Sequence, residues 1–215
     1  MNDASYRIED RETFFAEGLL IRMQPALFPT EDQFYEFCRI NADLRIERNP
    51  DGGVLVMEPA GWETGNKNAE LTFQLKAWAN RNGKGRVADS SAGYRLPNGA
   101  MRSPDASWVS NERLATVTLE ERAKFIPLCP EFVVELRSPT DRFPRLQDKL
   151  SEFIANGAEL GWLIDLFKRQ VFVYRPGASV ERLDAPEAVS GNPVLEGFEL
   201  RLEKIWQARA NSVQT

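Results

Sequence analysis

The chain has 215 residues, 42% of them hydrophobic, which is enough to bury one sizeable core, and its formal charge of −5, from 27 basic and 32 acidic residues, gives no global field that would draw it to nucleic acid or an anionic membrane. It contains no histidine, which removes Ser/His/Asp and Cys/His nucleophiles, the zinc-protease helix pair and histidine-based metallonuclease designs. Cys38 and Cys129 alone cannot build a structural zinc site, no apolar run approaches the roughly 18 residues of a membrane span, and the acidic start MNDASYRIED does not resemble a secretory signal, so a cytoplasmic protein is expected.

Residues 1–12 are polar, and Phe14, Phe15, Leu19, Leu20 and Ile21 make an apolar segment suited to packing on the body of the fold or on a second subunit. Pro25 and Pro29 break it. The organisation read from this is an N-terminal arm over 1–24, one domain over 25–206 and a tail over 207–215. Thr30 predicts a helix N-cap, with Gln33 completing a capping box and Phe34, Phe37 and Cys38 forming the apolar stripe of a helix over 31–41. DLRIER and GVLVMEP then alternate as strands on either side of Asn49-Pro50-Asp51-Gly52-Gly53, a hairpin signal. Leu71, Leu75 and Trp78 recur at helical spacing, predicting a helix from about Gly65 to Asn82 that Gly83 ends. Glu70 lies in its first turns beside Asn66 and Lys67, where a solvated acid near a helix start is the simplest reading.

GRVADS, GYRLP and SPDASWV are strand candidates, the last two separated by Pro97-Asn98-Gly99. Pro104 sets an extended entry to the third, and Ala106, Trp108 and Val109 continue it as a buried strand, which places Asp105 at the rim of the sheet interior. Residues 110–122 read as a polar loop with a short helix. PEFVVELR, from Pro130 to Arg137, is apolar on both faces and belongs in the middle of a sheet. Phe132, Val134 and Leu136 share one face, and Val133, Glu135 and Arg137 the other. Glu135 thus sits where a lone charge is costly and needs a partner or a cation. The next helix, from Arg145 to Asn156, has the stripe Leu146, Leu150, Phe153 and Ile154, with Lys149 at its edge and able to point back towards Glu135. WLIDLF and VFVYRP form a further hairpin, and VERLD, a strand near Phe198–Leu200 and a helix containing Ile205 and Trp206 finish the domain.

With histidine absent, hydrolytic chemistry must run on carboxylates and lysine, and carboxylate oxygens favour Mg²⁺ or Mn²⁺ over zinc or copper. Phosphodiester cleavage of that kind needs carboxylates to hold the ion and a cation to orient water or steady charge. Asp105, Glu135 and Lys149 supply such a set, Glu70 offers a fourth group, and Arg137 stands two positions beyond Glu135 on its own face, suited to contacting phosphate or neutralising the cluster.

Pro104-Asp105 followed by Glu135-Leu136-Arg137 resembles the P-D…(D/E)-x-K pattern of the restriction-endonuclease-like superfamily. More specifically, ETGNKNAELTFQLKAWA, YRLPNGAMRSPDASWVS, ELRSPTDR and KLSEFIANGAELGWLIDL together resemble the Uma-two family of bacterial endonucleases, over about residues 25–206. The resemblance implies an α/β restriction-endonuclease-like core, a central mixed β-sheet flanked by helices, to which the hairpins above are additions. It also implies a Mg²⁺- or Mn²⁺-dependent DNA endonuclease, often a homodimer, in which Asp105 and Glu135 bind the ion. Glu70 matches the helix acid that many members of the superfamily contribute as a ligand or water-orienting group. Arg137 stands where the superfamily pattern has lysine, so the lysine's catalytic role passes to Lys149 in the following helix block. The alternative is a catalytically inactive nucleic-acid-binding or assembly module of the same fold, and a third reading is a buried ion network of Glu135, Arg137 and Lys149 that only fixes packing.

Overall fold

The computed structural model describes the backbone of residues 19–21 and residues 30–207 in full. Of the arm, Phe14 and Phe15 therefore lie outside the described residues, as do Pro25, Pro29 and residues 208–215. Strand β1 (Leu19–Ile21) pairs antiparallel with residues 54–56 of the same chain. Helix α1 (Glu31–Ile40) begins at the capping box expected of Thr30 and Gln33, each side chain bonding the other's backbone N–H. The hairpin follows as β2 (Arg45–Arg48) and β3 (Val54–Met57), closed by Asn49 and Gly53, with Gly52 at φ 87° as that turn requires. Helix α2 (Trp62–Asn82) starts three residues earlier than the sequence pattern indicated and ends at Gly83 in the left-handed conformation, φ 71°.

Strand β4 (Gly85–Asp89) comes next, and then β5 (Tyr94–Arg95) and β6 (Met101–Arg102), two short strands that the Pro97-Asn98-Gly99 turn joins. Strand β7 (Ala106–Ser110) begins just after Asp105. The 110–122 segment holds two short helices, α3 (Asn111–Ala115) and α4 (Leu119–Arg122). After β8 (Phe132–Arg137) come α5 (Phe143–Ala155), β9 (Leu160–Asp165), β10 (Gln170–Tyr174), β11 (Glu181–Asp184), β12 (Ala188–Ser190), β13 (Glu199–Arg201) and α6 (Glu203–Trp206).

The central six-stranded sheet runs β11-β10-β9-β8-β7-β4 and is mixed, because β8 and β9, joined through α5, are parallel while the other neighbouring pairs are antiparallel. One face carries Phe132, Val134, Leu136, Trp108 and Trp162 against Leu71, Leu75 and Trp78 of α2 and against Leu200 and Ile205 near the C-terminal end of the domain. The other face carries Val133 and Leu163 against Leu146, Leu150 and Phe153 of α5. Strand alternation therefore sends Glu135 towards α5, as the pattern of β8 indicated.

Strands β5 and β6 do not extend this sheet. They join a second sheet ordered β1-β3-β2-β6-β5, where Ile46, Val54 and Met101 pack with Phe34 of α1. In β2 the same alternation turns Ile46 towards α1 and leaves Arg45 and Glu47 on the opposite side, across from Met57 and Leu55. The two sheets meet along that side of β2, the start of β7 and helix α5.

Candidate active site

Four charged side chains from four separate segments converge at this junction. Glu135, in the middle of β8, is 4% exposed. Lys149, on the second turn of α5, places its Nζ 2.8 Å from Glu135 Oε1 and 2.8 Å from Glu47 Oε1, and donates to the Ser103 carbonyl at 3.0 Å. The ammonium, which has three protons, thus faces three oxygens. Glu47, 2% exposed, also accepts the Ser103 backbone N–H at 3.0 Å and lies 3.8 Å from Arg102 Nη1. Arg102 is anchored in turn by Glu152 of α5 at 2.6 Å and by the carbonyl of Arg48.

Asp105 sits beside this group at the entry to β7. Its Oδ2 accepts the Leu136 backbone N–H at 2.8 Å, which ties it to the residue following Glu135. Its Oδ1 takes a bond from Asn68 Nδ2 at 3.2 Å and faces Arg45 at 3.6 Å. Asn68 Oδ1 is buried and has no partner among the described residues.

These contacts divide the charges unequally. Burial drives the Glu135 carboxyl up to about 8 against the pull of Lys149, and the negative neighbours Asp105 and Glu47 add to the rise. Asp105 is also raised, by burial first, with its Leu136 bond and Arg45 opposing. Glu47 goes the other way: burial would raise it, but Lys149 and Arg102 bring it below the ordinary carboxylate range. Burial alone would lower Lys149, and Glu135 with Glu47 carries it above the ordinary lysine value. The result is one ionised carboxylate paired to a charged lysine, beside two carboxyls that hold protons more tightly than usual.

Two residues expected in the set stand elsewhere. Glu70 accepts from Gln74 at 3.0 Å and lies 3.6 Å from Lys204, facing α6 and the end of β13. The helical step explains this, since positions 68 and 70 are about 200° apart around α2 and only Asn68 faces Asp105. Arg137 is drawn from the cluster by Asp165 on the neighbouring strand β9, at 2.8 Å, and its guanidinium stacks on Phe143 and Phe167. It does not line the cavity above the carboxylates. Glu47, Arg45 and Asn68, which the sequence did not single out, take the vacant places around Asp105 and Lys149.

The cluster forms the floor of a cavity of about 1050 Å³. Asp105, Glu135, Lys149, Arg45 and Arg102 line it from one side, and Glu58 to Thr64 and Ser138 to Arg142 close the others. Among the described residues no three acidic, cysteine or histidine side chains stand together as a ready-made metal cage. The Lys149 ammonium stands between Glu47 and Glu135 instead.

The family model for Uma2, described as "Putative restriction endonuclease", matches residues 31–203. The chain belongs to the Uma2 family. That match takes in the central sheet and all of the second sheet except β1, so every side chain of the cluster lies within the Uma2 region. A crystal structure from Anabaena variabilis, described as "a putative nuclease belonging to DUF820", is similar to the chain at a TM-score of 0.66 and 20% identity, covering 75% of this chain and 89% of that one. At that identity the likeness is one of fold, and it places this Uma2 chain on the restriction-endonuclease-like architecture with its central mixed sheet. No curated protein matches the chain.

Proposed function

We propose that this Uma2 protein is a divalent-metal-dependent nuclease that hydrolyses phosphodiester bonds in DNA. The observation that carries the proposal is the buried set Asp105, Glu135, Glu47 and Lys149 at the floor of an open cavity. Membership of the family supports a nuclease, and the residues supply the chemistry. All the side-chain donors are carboxylate oxygens, and Mg²⁺ or Mn²⁺ takes one or two of these and completes its shell with water and substrate oxygens rather than requiring a full protein cage. Asp105 and Glu135 would hold the ion, which would polarise the phosphate and lower the pKa of a bound water.

The remaining steps belong to the chain's own groups. The Leu136 N–H and Asn68 fix the Asp105 carboxylate in orientation. Glu135, whose proton is held up to about 8, would release it to solvent in order to serve as a ligand. Lys149, kept charged by Glu47, turns one of its three N–H donors from Ser103 or Glu135 towards a water or phosphate oxygen and steadies the charge that develops there. Arg45, paired with Asp105 at the long distance of 3.6 Å, is placed to contact a phosphate beside that carboxylate. Glu70 and Arg137 have no part in this scheme.

The test is cleavage of supercoiled DNA with Mg²⁺ or Mn²⁺. Wild type should nick it, and Asp105→Asn should reduce the rate by at least about a hundredfold, the scale on which losing transition-state electrostatics acts. Equal nicking by the two proteins, or no difference between metal and chelator, would sink the assignment.

A further inference from the structure

We infer that the cavity receives an unpaired nucleotide of single-stranded DNA, its phosphate at the carboxylates and its base stacked on Trp62. The inference rests on the nuclease reading and narrows its substrate. Trp62 opens helix α2 and lines the same cavity as Asp105, Glu135 and Lys149. It is 77% exposed, whereas Trp78, Trp108 and Trp162 are buried and Trp206 is half-buried. A tryptophan held out at the lip of a cavity floored by charged side chains offers a flat apolar face, and base stacking on such a face stabilises binding without regard to sequence.

The chain path sets where that face stands. Met57 pairs with Arg45 across the β2–β3 hairpin, and the four residues Glu58 to Gly61 lead from Met57 directly to Trp62, all of them lining the cavity. Arg45 in turn lies 3.6 Å from Asp105. The wall of the cavity therefore runs from the carboxylates and the Arg45 guanidinium, where the phosphate would lie, to the indole, where the base would lie. A volume of about 1050 Å³ is at the upper end of the range for sites that enclose a whole small ligand, far more than an ion and its waters need.

Stacking argues for an unpaired strand. An indole can cover only a base face that is free, and within a duplex both faces of each base are taken by its neighbours. The lining is mixed in charge, with Arg102, Arg142 and Arg145 standing among Glu58, Glu63, Asp141 and Asp148, so stacking adds affinity that phosphate attraction alone does not supply.

The experiment measures binding of a fluorescein-labelled oligothymidine strand, alone and annealed to its complement, by anisotropy with Mg²⁺ present, in an Asp105→Asn background so that the probe survives. Trp62→Ala should weaken binding of the single strand roughly tenfold, Trp62→Phe should recover most of it, and duplex binding should move little. Because Trp62 is the exposed one of five tryptophans, the strand should also quench the long-wavelength part of the emission, and Trp62→Phe should abolish that quenching. Equal single-strand affinity with and without Trp62 overturns the inference, as does a parallel loss for strand and duplex. Plasmid nicking that persists in either case leaves the nuclease reading standing, whereas Trp62-dependent strand binding without nicking removes the nuclease reading and keeps the strand site.

Discussion

Glu135 holds its position in β8 because Lys149 compensates it, yet the compensation is shared with Glu47, and burial keeps its proton affinity high. The consequence for stability has a definite sign. Below its ordinary value of 4.5 the group is protonated both folded and unfolded; between 4.5 and about 8 the unfolded chain loses the proton first, so stability falls as pH rises through that window. Glu135→Gln carries a permanently neutral isostere. In chelator, denaturation of the two proteins should show wild type losing ground to the variant from the acid to the alkaline end of the window. A constant difference across it would mean that Glu135 titrates as an ordinary carboxylate. At this scale, Asp105, Glu135 and Lys149 were legible in the sequence because each interrupts an apolar pattern: a Pro-led strand entry, a strand apolar on both faces, the flank of a helix stripe. Glu47 was not. In RIER the apolar Ile46 faces α1, which makes the other face look solvated, and the groups that cover Glu47 come from Arg102 and Lys149, far along the chain. Asn68 was obscured by Glu70 for a related reason: helical phase, which decides between them, depends on which side of α2 meets the sheet.

Helix α5 is the element on which the site depends, because it links parallel strands β8 and β9 and brings both Lys149 and Glu152 to the second sheet. It packs close. A Cβ placed on Gly161 of β9 would lie 2.7 Å from Leu150 Cδ1, and Leu150, adjacent to Lys149, is fully buried. Leu150→Ala should therefore destabilise the protein by about 2–5 kcal/mol, read by denaturant melts. It should also reduce nicking under conditions where the protein stays folded, since the variant loosens the turn that aims Lys149. Full activity in a destabilised but folded Leu150→Ala protein would mean that the position of α5 does not set the position of Lys149. The elements themselves were largely readable: the capping box of α1, the β2–β3 turn, the stripe of α5 and the alternation in β8 are all local signals. The division of strands between two sheets was not, because β5 and β6 have two residues each and long-range packing, not their own pattern, chooses their partners.

Across the whole molecule the site is a joint. The central sheet supplies Asp105 and Glu135, the smaller sheet supplies Glu47, Arg45 and Arg102, and α5 crosses between them, so whatever steadies the smaller sheet steadies half of the cavity. Strand β1 occupies an edge of that sheet, pairing residue for residue with Val54 to Val56. The apolar stretch around it in the arm suits a homodimer contact as well as it suits this chain's own sheet, and deletion of residues 1–24 separates the two roles. If β1 serves its own sheet, removing it exposes the backbone of β3 as an open edge, the kind that recruits another strand. Light scattering should then show a higher mass or aggregation, together with a lower melting temperature and weaker nicking as β2 loses its support. If the arm instead holds two subunits together, the same deletion lowers the mass towards that of a single chain and leaves the thermal transition of the smaller sheet in place. The backbone pairing of β1 within one chain favours the first outcome, and a clean fall to monomer would overturn it.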